Sequence, residues 1–245
     1  MKIIVTENYA ASCKKAADII IQQIKDKADS KLGLATGGTA ENVYPYLVDA
    51  YKAGEVSFAK IRTVNLDEYI GMDPSHEQSY KNYMNKRLFS LVDIDEKNTY
   101  VPSGKNNIED EIALFNSKLY DDGLIDIQLL GIGVSGHIGF NEPAENLTAG
   151  VHIEQLDEST IQANSRFFEN ADQVPRQSIT MGVGDIMKAG KIVLIATGEQ
   201  KIPAIKALLL DDYVNGKVPA TVLKLHRDAT IIIDKALADG VGYKY

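Results

Sequence analysis

Short apolar runs alternate with segments of helical periodicity along almost the whole chain. The runs are rich in β-branched residues, and glycine or polar residues follow them, which is typical of buried parallel strands. They span 2–6, 32–35, 61–66, 124–130, 178–181, 191–197, 220–225 and 229–234. Apolar residues spaced three or four apart predict helices over 9–27, 40–53, 79–88, 108–120, 159–168 and 183–188, with another after Gly198. This alternation predicts an α/β protein, a three-layer α/β/α sandwich with a largely parallel sheet.

The sequence contains no boundary that would divide the chain. Because no repeat, low-complexity segment or linker interrupts the alternation, we expect one domain over residues 1–245. The net charge of −8 without a basic block argues against nucleic acid or a membrane surface as a partner. The single cysteine, Cys13, suits a reducing compartment. With no signal peptide in the sequence we expect a cytoplasmic protein, either a monomer or a homo-oligomer.

The run 124–130 ends in a loop that is a strong candidate for a ligand site. Its glycines, at positions 131, 133, 136 and 139, permit backbone conformations and close approaches that other residues resist. His137 lies inside the loop, and Glu142 follows five residues later in Asn-Glu-Pro. Ligands of parallel α/β sheets bind beyond the carboxyl ends of the strands, where this loop would lie. A glycine-rich connection with an incidental histidine is the alternative.

The run 32–35 ends in Thr36-Gly37-Gly38-Thr39 ahead of a predicted helix. Backbone N–H groups and hydroxyls in such a turn can face an anion over the helix N-terminus. A tight turn without a ligand explains the pattern equally well. The motif is not a nucleotide-binding Walker loop, because it lacks the Gly-Lys-Ser/Thr ending.

Three other charged candidates stand at or near the ends of predicted strands and helices. Asp67, directly after the run 61–66, is a catalytic candidate, whereas Glu68 is better explained as a solvated turn residue or a helix cap. Arg166 stands among aromatic residues, where a guanidinium needs an anion, although an ordinary surface position is also possible. Lys201 falls in the first turn of a predicted helix, where a cation opposes the helix dipole. An anionic ligand would explain such a charge, and a flexible surface lysine is the alternative.

These candidates are expected to converge at one edge of the sheet, because each follows a strand or begins a helix. Together they form an anion cradle, a carboxylate and a His–Glu pair, which suits proton transfer on a small phosphorylated molecule. The sequence has no Cys/His cluster with metal-ligand spacing and no serine nucleophile elbow. We therefore expect no metal and no cofactor.

Five motifs resemble those of the glucosamine-6-phosphate deaminase family, and they occur in order over most of the chain. They are Leu-Ala-Thr-Gly-Gly-Thr at 34–39, Asn-Leu-Asp-Glu-Tyr at 65–69, Gly-Phe-Asn-Glu-Pro at 139–143, Ala-Asn-Ser-Arg-Phe-Phe at 163–168 and Pro-Ala-Thr at 219–221. The resemblance implies a Rossmann-like sheet. It also implies isomerisation and deamination of glucosamine 6-phosphate to fructose 6-phosphate and ammonia in amino sugar catabolism.

The same resemblance implies roles for the candidate residues. Asp67 would move the proton between C2 and C1 of the open-chain sugar, and His137, oriented by Glu142, would help to open the pyranose ring. The phosphate would be held by Thr36, Gly37, Gly38, Thr39, Arg166 and Lys201. Ser135 departs from the family, whose members usually carry Asp or Asn two residues before the catalytic histidine. We place Ser135 with the catalytic residues for that reason.

Three alternatives stay open at this point. A galactosamine-6-phosphate deaminase is close, but the segment 163–168 fits the glucosamine enzymes better. A 6-phosphogluconolactonase typically has Asp-Glu-Arg where this chain has Asp67-Glu68-Tyr69, and it lacks the Asn-Glu-Pro. A non-catalytic sugar-phosphate sensor would carry a helix-turn-helix ahead of the domain, whereas the first predicted strand here begins at Lys2.

Overall fold

A seven-stranded parallel sheet forms the centre of the protein, which was analysed as a computed structural model that describes residues 1–245, apart from the side chain of Ala171. The strand order is β1-β10-β9-β6-β2-β3-β5, with every pair parallel. The ten strands of the chain are β1 (Lys2–Thr6), β2 (Lys31–Leu34), β3 (Arg62–Asn65), β4 (Asp67–Tyr69), β5 (Thr99–Tyr100), β6 (Ile127–Leu130), β7 (His152–Gln155), β8 (Gln177–Thr180), β9 (Lys191–Ala196) and β10 (Ala229–Asp234).

Helices cover both faces of this sheet, which confirms the predicted α/β fold. They are α1 (Tyr9–Asp26), α2 (Tyr44–Lys52), α3 (Tyr80–Arg87), α4 (Ile108–Tyr120), α5 (Glu158–Asn164), α6 (Val183–Ile186), α7 (Ile202–Leu210) and α8 (Lys235–Val241). Helix α1 begins after Asn8, whose side-chain oxygen accepts the backbone N–H of Ala11 at 3.0 Å. The helix buries apolar residues whose spacing predicts it, such as Ala16, Ala17 and Ile20. In the described residues, no helix combines the length and the apolar composition needed to cross a bilayer.

The central strands are buried on both sides, which explains their continuous apolar runs. Residues 192–196 of β9 and 231–233 of β10 are at most 1% exposed. Burial of these side chains between two layers of helices is the main source of stability in such a sheet. Their carboxyl ends are therefore fixed points from which loops can project functional groups.

A second, three-stranded antiparallel sheet is the main feature that the sequence did not predict. Its order is β4-β8-β7, so the run predicted at 178–181 belongs to this sheet and not to the parallel one. β4 is only three residues long and follows β3 after a single residue, Leu66. A small apolar cluster packs beside β4, formed by Tyr69, Met72, Phe140, Leu156, Ile161 and Val174, whereas Ile179 of β8 belongs to the main core.

The strand predicted over 220–225 is wrong, because Pro219–Leu225 forms a 3-10 helix. Pro219 starts it without a backbone N–H, and the Thr221 hydroxyl lies 2.8 Å from the carbonyl oxygen of Val218. Ala220 and Leu223 are both fully buried, so the apolar residues follow the period of three of a 3-10 helix. The apolar composition predicts a buried segment correctly, but the spacing of its apolar residues is that of a 3-10 helix and not of a strand.

Two of the predicted helices that lie at or beside candidate site residues are shorter than expected. α2 begins at Tyr44 and not at residue 40, because turns fill 38–43 and Pro45 lies in the first helical turn. The helix predicted over 159–168 ends at Asn164 and continues as the 3-10 turn Ser165–Phe167. Both changes affect segments that carry candidate site residues.

Gly104 offers a test of how closely the small sheet is held against the loop that follows β5. A Cβ atom at Gly104 would lie 1.9 Å from the carbonyl oxygen of Tyr69 in β4. Gly104→Ala should therefore lower the free energy of unfolding by about 1–3 kcal/mol, measured by urea denaturation. At Gly150 a Cβ would meet open space, so Gly150→Ala is the matched control and should change stability by less than about 0.5 kcal/mol. Equal stability of the two variants would contradict this packing.

Candidate active site

One cleft of about 150 Å³ opens where several parallel strands end. It is lined by segments that follow β2, β3, β6 and β9, together with α5 and the turn after it. Eight candidate residues line it: Thr36, Gly37, Gly38, Thr39, Asp67, His137, Arg166 and Lys201. The other two, Ser135 and Glu142, lie behind His137 and contact its ring.

Asp67 is placed by the passage of the chain from one sheet to the other. It is the first residue of β4, pairs with Thr180 of β8, and is 7% exposed. Burial, followed by the nearby charge of Glu68, raises the pKa of Asp67 to about 8. No hydrogen bond to this carboxylate is found in the described part of the chain. The result is a carboxyl group with unusual basicity for its type, which a cationic ligand would favour in its ionised form.

Glycine allows the backbone to approach this carboxylate. Gly139 adopts φ +58°, and a Cβ there would lie 3.5 Å from Oδ2 of Asp67 and 3.2 Å from the hydroxyl oxygen of Thr180. The left-handed conformation and the crowded position together favour glycine at 139. The loop after β6 thus closes over Asp67 without a side chain between them.

Glu68 differs from its expected solvated position. It is 2% exposed, and its carboxylate accepts the backbone N–H groups of Tyr69 at 2.9 Å and of Tyr80 at 2.7 Å. Tyr80 is the first residue of α3, so the interpretation of Glu68 as a helix cap is close to what the structure contains. Burial raises the pKa of Glu68 to about 7, against the opposing effect of these hydrogen bonds. Glu68 therefore joins β4 to α3 and places the Tyr80 side chain at the cleft.

His137 is oriented by three side chains that gather at its Nδ1 atom. Ser135 Oγ lies 3.0 Å from Nδ1, Glu142 Oε2 lies 3.2 Å from it, and Thr160 Oγ1 lies 3.3 Å from it. Burial opposes ionisation of Glu142, but the hydrogen bond and charge of His137 outweigh it and hold the pKa of Glu142 below its ordinary value. With Nδ1 occupied in this way, Nε2 is the ring nitrogen available to a ligand.

The Thr36–Thr39 loop lies in the cleft, but not directly at a helix N-terminus as expected. Because α2 begins only at Tyr44, the loop leads into turns instead. Gly37 adopts φ +88°, and the carbonyl oxygens of Gly37, Gly38 and Thr39 each accept a tyrosine hydroxyl. The loop is therefore fixed from outside the cleft.

Arg166 and Lys201 bring two positive charges to this loop without a carboxylate between them. Arg166 lies in the 3-10 turn after α5, with Nη2 3.3 Å from where a Cβ of Gly38 would be. Lys201 precedes α7. Burial, followed by repulsion from Arg166, lowers the pKa of Lys201 to about 8. In the described residues neither cation forms an ion pair, so an anion entering here would relieve an existing electrostatic cost.

Four lining residues were missed by the sequence reasoning: Tyr80, Phe140, Thr160 and Asn164. Thr160 and Asn164 are four residues apart on α5 and precede Arg166, so helical spacing places them on one face and could have identified them. Asn164 also donates to the hydroxyl of Tyr69 at 2.9 Å. In the portion of the chain that is described, no group of three or more His, Cys, Asp or Glu side chains is arranged to hold a metal ion.

Comparison with known proteins gives a consistent result over nearly the whole chain. Residues 6–232 match the model of a family described as glucosamine-6-phosphate isomerases/6-phosphogluconolactonase. The glucosamine-6-phosphate deaminase of Clostridium perfringens strain 13 is 48% identical over 97% of this chain and 98% of its own. That of Thermoanaerobacter sp. strain X514 is 49% identical over 97% and 94%.

Among the solved structures compared, a glucosamine-6-phosphate deaminase is more similar to this chain than a 6-phosphogluconolactonase is. A monomeric glucosamine-6-phosphate deaminase superimposes with a TM-score of 0.94 at 39% identity, covering 98% of this chain and 99% of its own. The 6-phosphogluconolactonase of Trypanosoma brucei gives a TM-score of 0.77 at 19% identity over 98% of both chains, which indicates a shared fold.

Lys201 provides a test of the cation pair that it forms with Arg166. Its lowered pKa means that burial disfavours the charged form, so Lys201→Met should stabilise the phosphate-free protein at pH 7 by about 1 kcal/mol, allowing for the remaining solvent contact. The gain should be complete below pH 8 and shrink as the pH rises towards 10.5, the ordinary lysine value. Thermal unfolding across pH measures this.

Added inorganic phosphate should raise the unfolding temperature of the wild type and have less effect on the Met variant. Lys206→Met, at an exposed position of α7, is the control and should show neither effect. A Met variant that is less stable than the wild type at pH 7, yet equally stabilised by phosphate, would contradict the cation pair as an anion site.

Proposed function

The chain belongs to the family of glucosamine-6-phosphate isomerases and 6-phosphogluconolactonases, and we propose that it acts in that family as a glucosamine-6-phosphate deaminase. Its reaction isomerises and deaminates glucosamine 6-phosphate to fructose 6-phosphate and ammonia. One observation carries the assignment: a buried carboxylate of raised pKa and a pair of cations without counter-ions share the same cleft. A phosphorylated amino sugar supplies the missing charge to both.

The phosphate end of the substrate is assigned to Arg166, Lys201 and the Thr36–Thr39 loop. A phosphate dianion would neutralise both cations and accept hydrogen bonds from the loop. Because these groups hold the substrate away from its reacting carbons, they serve to position it.

Ring opening is assigned to His137. Opening a pyranose requires removal of the proton from the anomeric hydroxyl and delivery of a proton to the ring oxygen, and an imidazole can carry out both transfers near pH 7. Nε2 is the atom that would exchange the proton, since Nδ1 faces Ser135, Glu142 and Thr160. Glu142 stabilises the positively charged form, and its lowered pKa keeps it ionised for that purpose.

Isomerisation is assigned to Asp67. The ionised carboxylate removes the proton from C2 of the open-chain aldehyde while the carbonyl oxygen O1 takes up a proton given by the ammonium group, which gives an enolamine across C1 and C2. The carboxyl group then returns its proton to C1. The resulting imine at C2 adds water and expels ammonia, leaving the ketone of fructose 6-phosphate. Desolvation strengthens Asp67 as a base, and the ammonium group of the bound substrate would favour its ionised form at the moment of binding.

A coupled assay for ammonia and fructose 6-phosphate tests the assignment directly. We expect both products from glucosamine 6-phosphate in equal amounts, and lower or no turnover of galactosamine 6-phosphate. Binding of either ester without release of ammonia would instead indicate a non-catalytic sugar-phosphate sensor. Hydrolysis of a 6-phosphogluconolactone without deamination would indicate the lactonase activity of the more distant relatives.

Substitution of Asp67 tests its proposed role as the base separately from its effect on substrate binding. Asp67→Asn keeps the shape of the side chain but removes its basicity, so turnover should fall by about 100-fold or more while substrate binding survives. Exchange of the C2 proton with deuterated solvent isolates the step assigned to Asp67. Exchange at the wild-type rate in the Asn variant would show that another group is the base.

Ser135 is predicted to tune the response of the enzyme to pH. Its hydroxyl is neutral, so Ser135→Asp would add a negative charge beside the histidine and favour imidazolium. The limb of the pH–rate profile that depends on His137 should move to higher pH, by about one unit if water stays excluded.

Ser135→Ala is the matched control, because it removes the hydroxyl without adding charge. It should leave that limb close to its wild-type position. Superimposable profiles for wild type and the Asp variant would mean that residue 135 does not tune His137.

A further inference from the structure

Three tyrosines donate hydrogen bonds to backbone carbonyls of residues 35–39, which include the Thr36–Thr39 loop that the proposed function assigns to phosphate. The Tyr44 hydroxyl donates to the carbonyl of Ala35, and the Tyr83 hydroxyl donates to that of Gly37 at 3.0 Å. The Tyr9 hydroxyl lies 2.7 Å from the carbonyl oxygen of Gly38 and 3.1 Å from that of Thr39. The tyrosines come from α1, α2 and α3, so three separate helices meet behind one short loop.

The direction of these carbonyls determines the direction of the neighbouring N–H groups. In a trans peptide the C=O of one residue and the N–H of the next point in opposite directions. Tyr9, Tyr44 and Tyr83 lie outside the set of residues that line the cleft, whereas the loop itself lines it. The N–H groups of Gly38, Thr39 and Ala40 therefore point away from the tyrosines, and Gly38 and Thr39 line the cleft. These N–H groups make no hydrogen bond to another described residue.

The tyrosine hydroxyls remain donors over the working range of such an enzyme. Burial raises the pKa of Tyr9 to about 12, and it also raises the pKa of Tyr44 and of Tyr83 well above the ordinary tyrosine value. Asn42 donates to the Tyr9 hydroxyl at 3.0 Å, which leaves the hydroxyl proton for the loop carbonyls. The orientation of the loop thus does not depend on pH near neutrality.

We propose that Tyr9 and Tyr83 are positioning residues for the substrate phosphate, acting through the loop carbonyls that their hydroxyls hold. Neither ring needs to touch the substrate. The inference rests on the proposed function, because it takes the Thr36–Thr39 loop as the phosphate site. It adds that the loop binds anions through N–H groups oriented by the tyrosines of α1 and α3, together with the Glu41 N–H, which donates to the Gly37 carbonyl at 3.1 Å.

Removal of the hydroxyl alone separates this role from packing. The Tyr83 ring packs edge-on against Tyr44 at 6.4 Å between centroids and lies under Arg87 at 4.6 Å, and both contacts persist in phenylalanine. Tyr9→Phe and Tyr83→Phe should each weaken binding of inorganic phosphate about two- to tenfold, the range for one hydrogen bond. Titration calorimetry measures this without reliance on turnover. The double variant should show roughly the product of the two losses.

Steady-state kinetics should show an effect of the tyrosine substitutions on KM and not on kcat. The KM for glucosamine 6-phosphate should rise by a similar factor in each variant while kcat stays within about twofold, since the groups at C1 and C2 are untouched. Tyr46→Phe is the matched control: Tyr46 is a partly buried tyrosine of α2 whose hydroxyl makes no hydrogen bond to a described residue. It should leave phosphate affinity, KM and kcat unchanged.

Several outcomes would overturn the proposal or distinguish it from the proposed function. Phosphate affinity of the double variant within twofold of the wild type would overturn the role of the tyrosines, as would a loss confined to thermal stability. A wild type that does not bind phosphate would overturn the anion site and the tyrosine role together. Phosphate binding that depends on Tyr9 and Tyr83 in a protein that releases no ammonia would support the tyrosine role and reject the deaminase assignment.

Discussion

The cleft depends on buried charged side chains that have no neighbour of opposite charge among the described residues. Asp67 at one wall and Lys201 at another have pKa values shifted in opposite directions, but both shifts favour the neutral form. The cause is the same in each case, burial first and a like charge second. A site of this kind is under electrostatic strain when it is empty, and a ligand with a positive and a negative end relieves it. The buried strands of the parallel sheet provide the stability that makes such a site tolerable.

Much of the fold could be predicted because two of its signals involve residues close together in the sequence. These signals are the spacing of the apolar residues and the polar residues that follow each strand. The alternation of runs such as 191–197 with helical segments predicted the α/β sandwich, and the polar residues at strand ends identified the cleft. The failures have local causes too. Residues 220–225 have the composition of a strand, and only the contacts of Pro219 and Thr221 favour a 3-10 helix. β4 is too short for its period to be recognised.

Other features of the site depend on contacts that no local pattern encodes. Tyr9 reaches the carbonyl of Gly38, 29 residues away, and Tyr83 reaches that of Gly37, 46 residues away. Glu68 resembles a surface residue in the sequence because one of its two backbone partners, the N–H of Tyr80, is 12 residues away and becomes a neighbour only when β4 packs beside α3. Such contacts arise from the way in which helices and sheets meet. The sequence motifs named the residues of the cleft, and the tertiary packing fixed their orientation.

The position of the small sheet has a consequence for how this protein would lose activity. Tyr69 of β4 and Phe140 lie in an apolar cluster apart from the main core, whereas Ile179 of the neighbouring strand β8 lies in the main core itself. The sheet is therefore attached to both clusters, although its strands have only three or four residues each. Short elements can open at lower free energy than the global transition, but buried contacts with the main core limit such opening. Asp67, the proposed base, lies on β4, so we expect activity to be lost no later than the chain unfolds in denaturant.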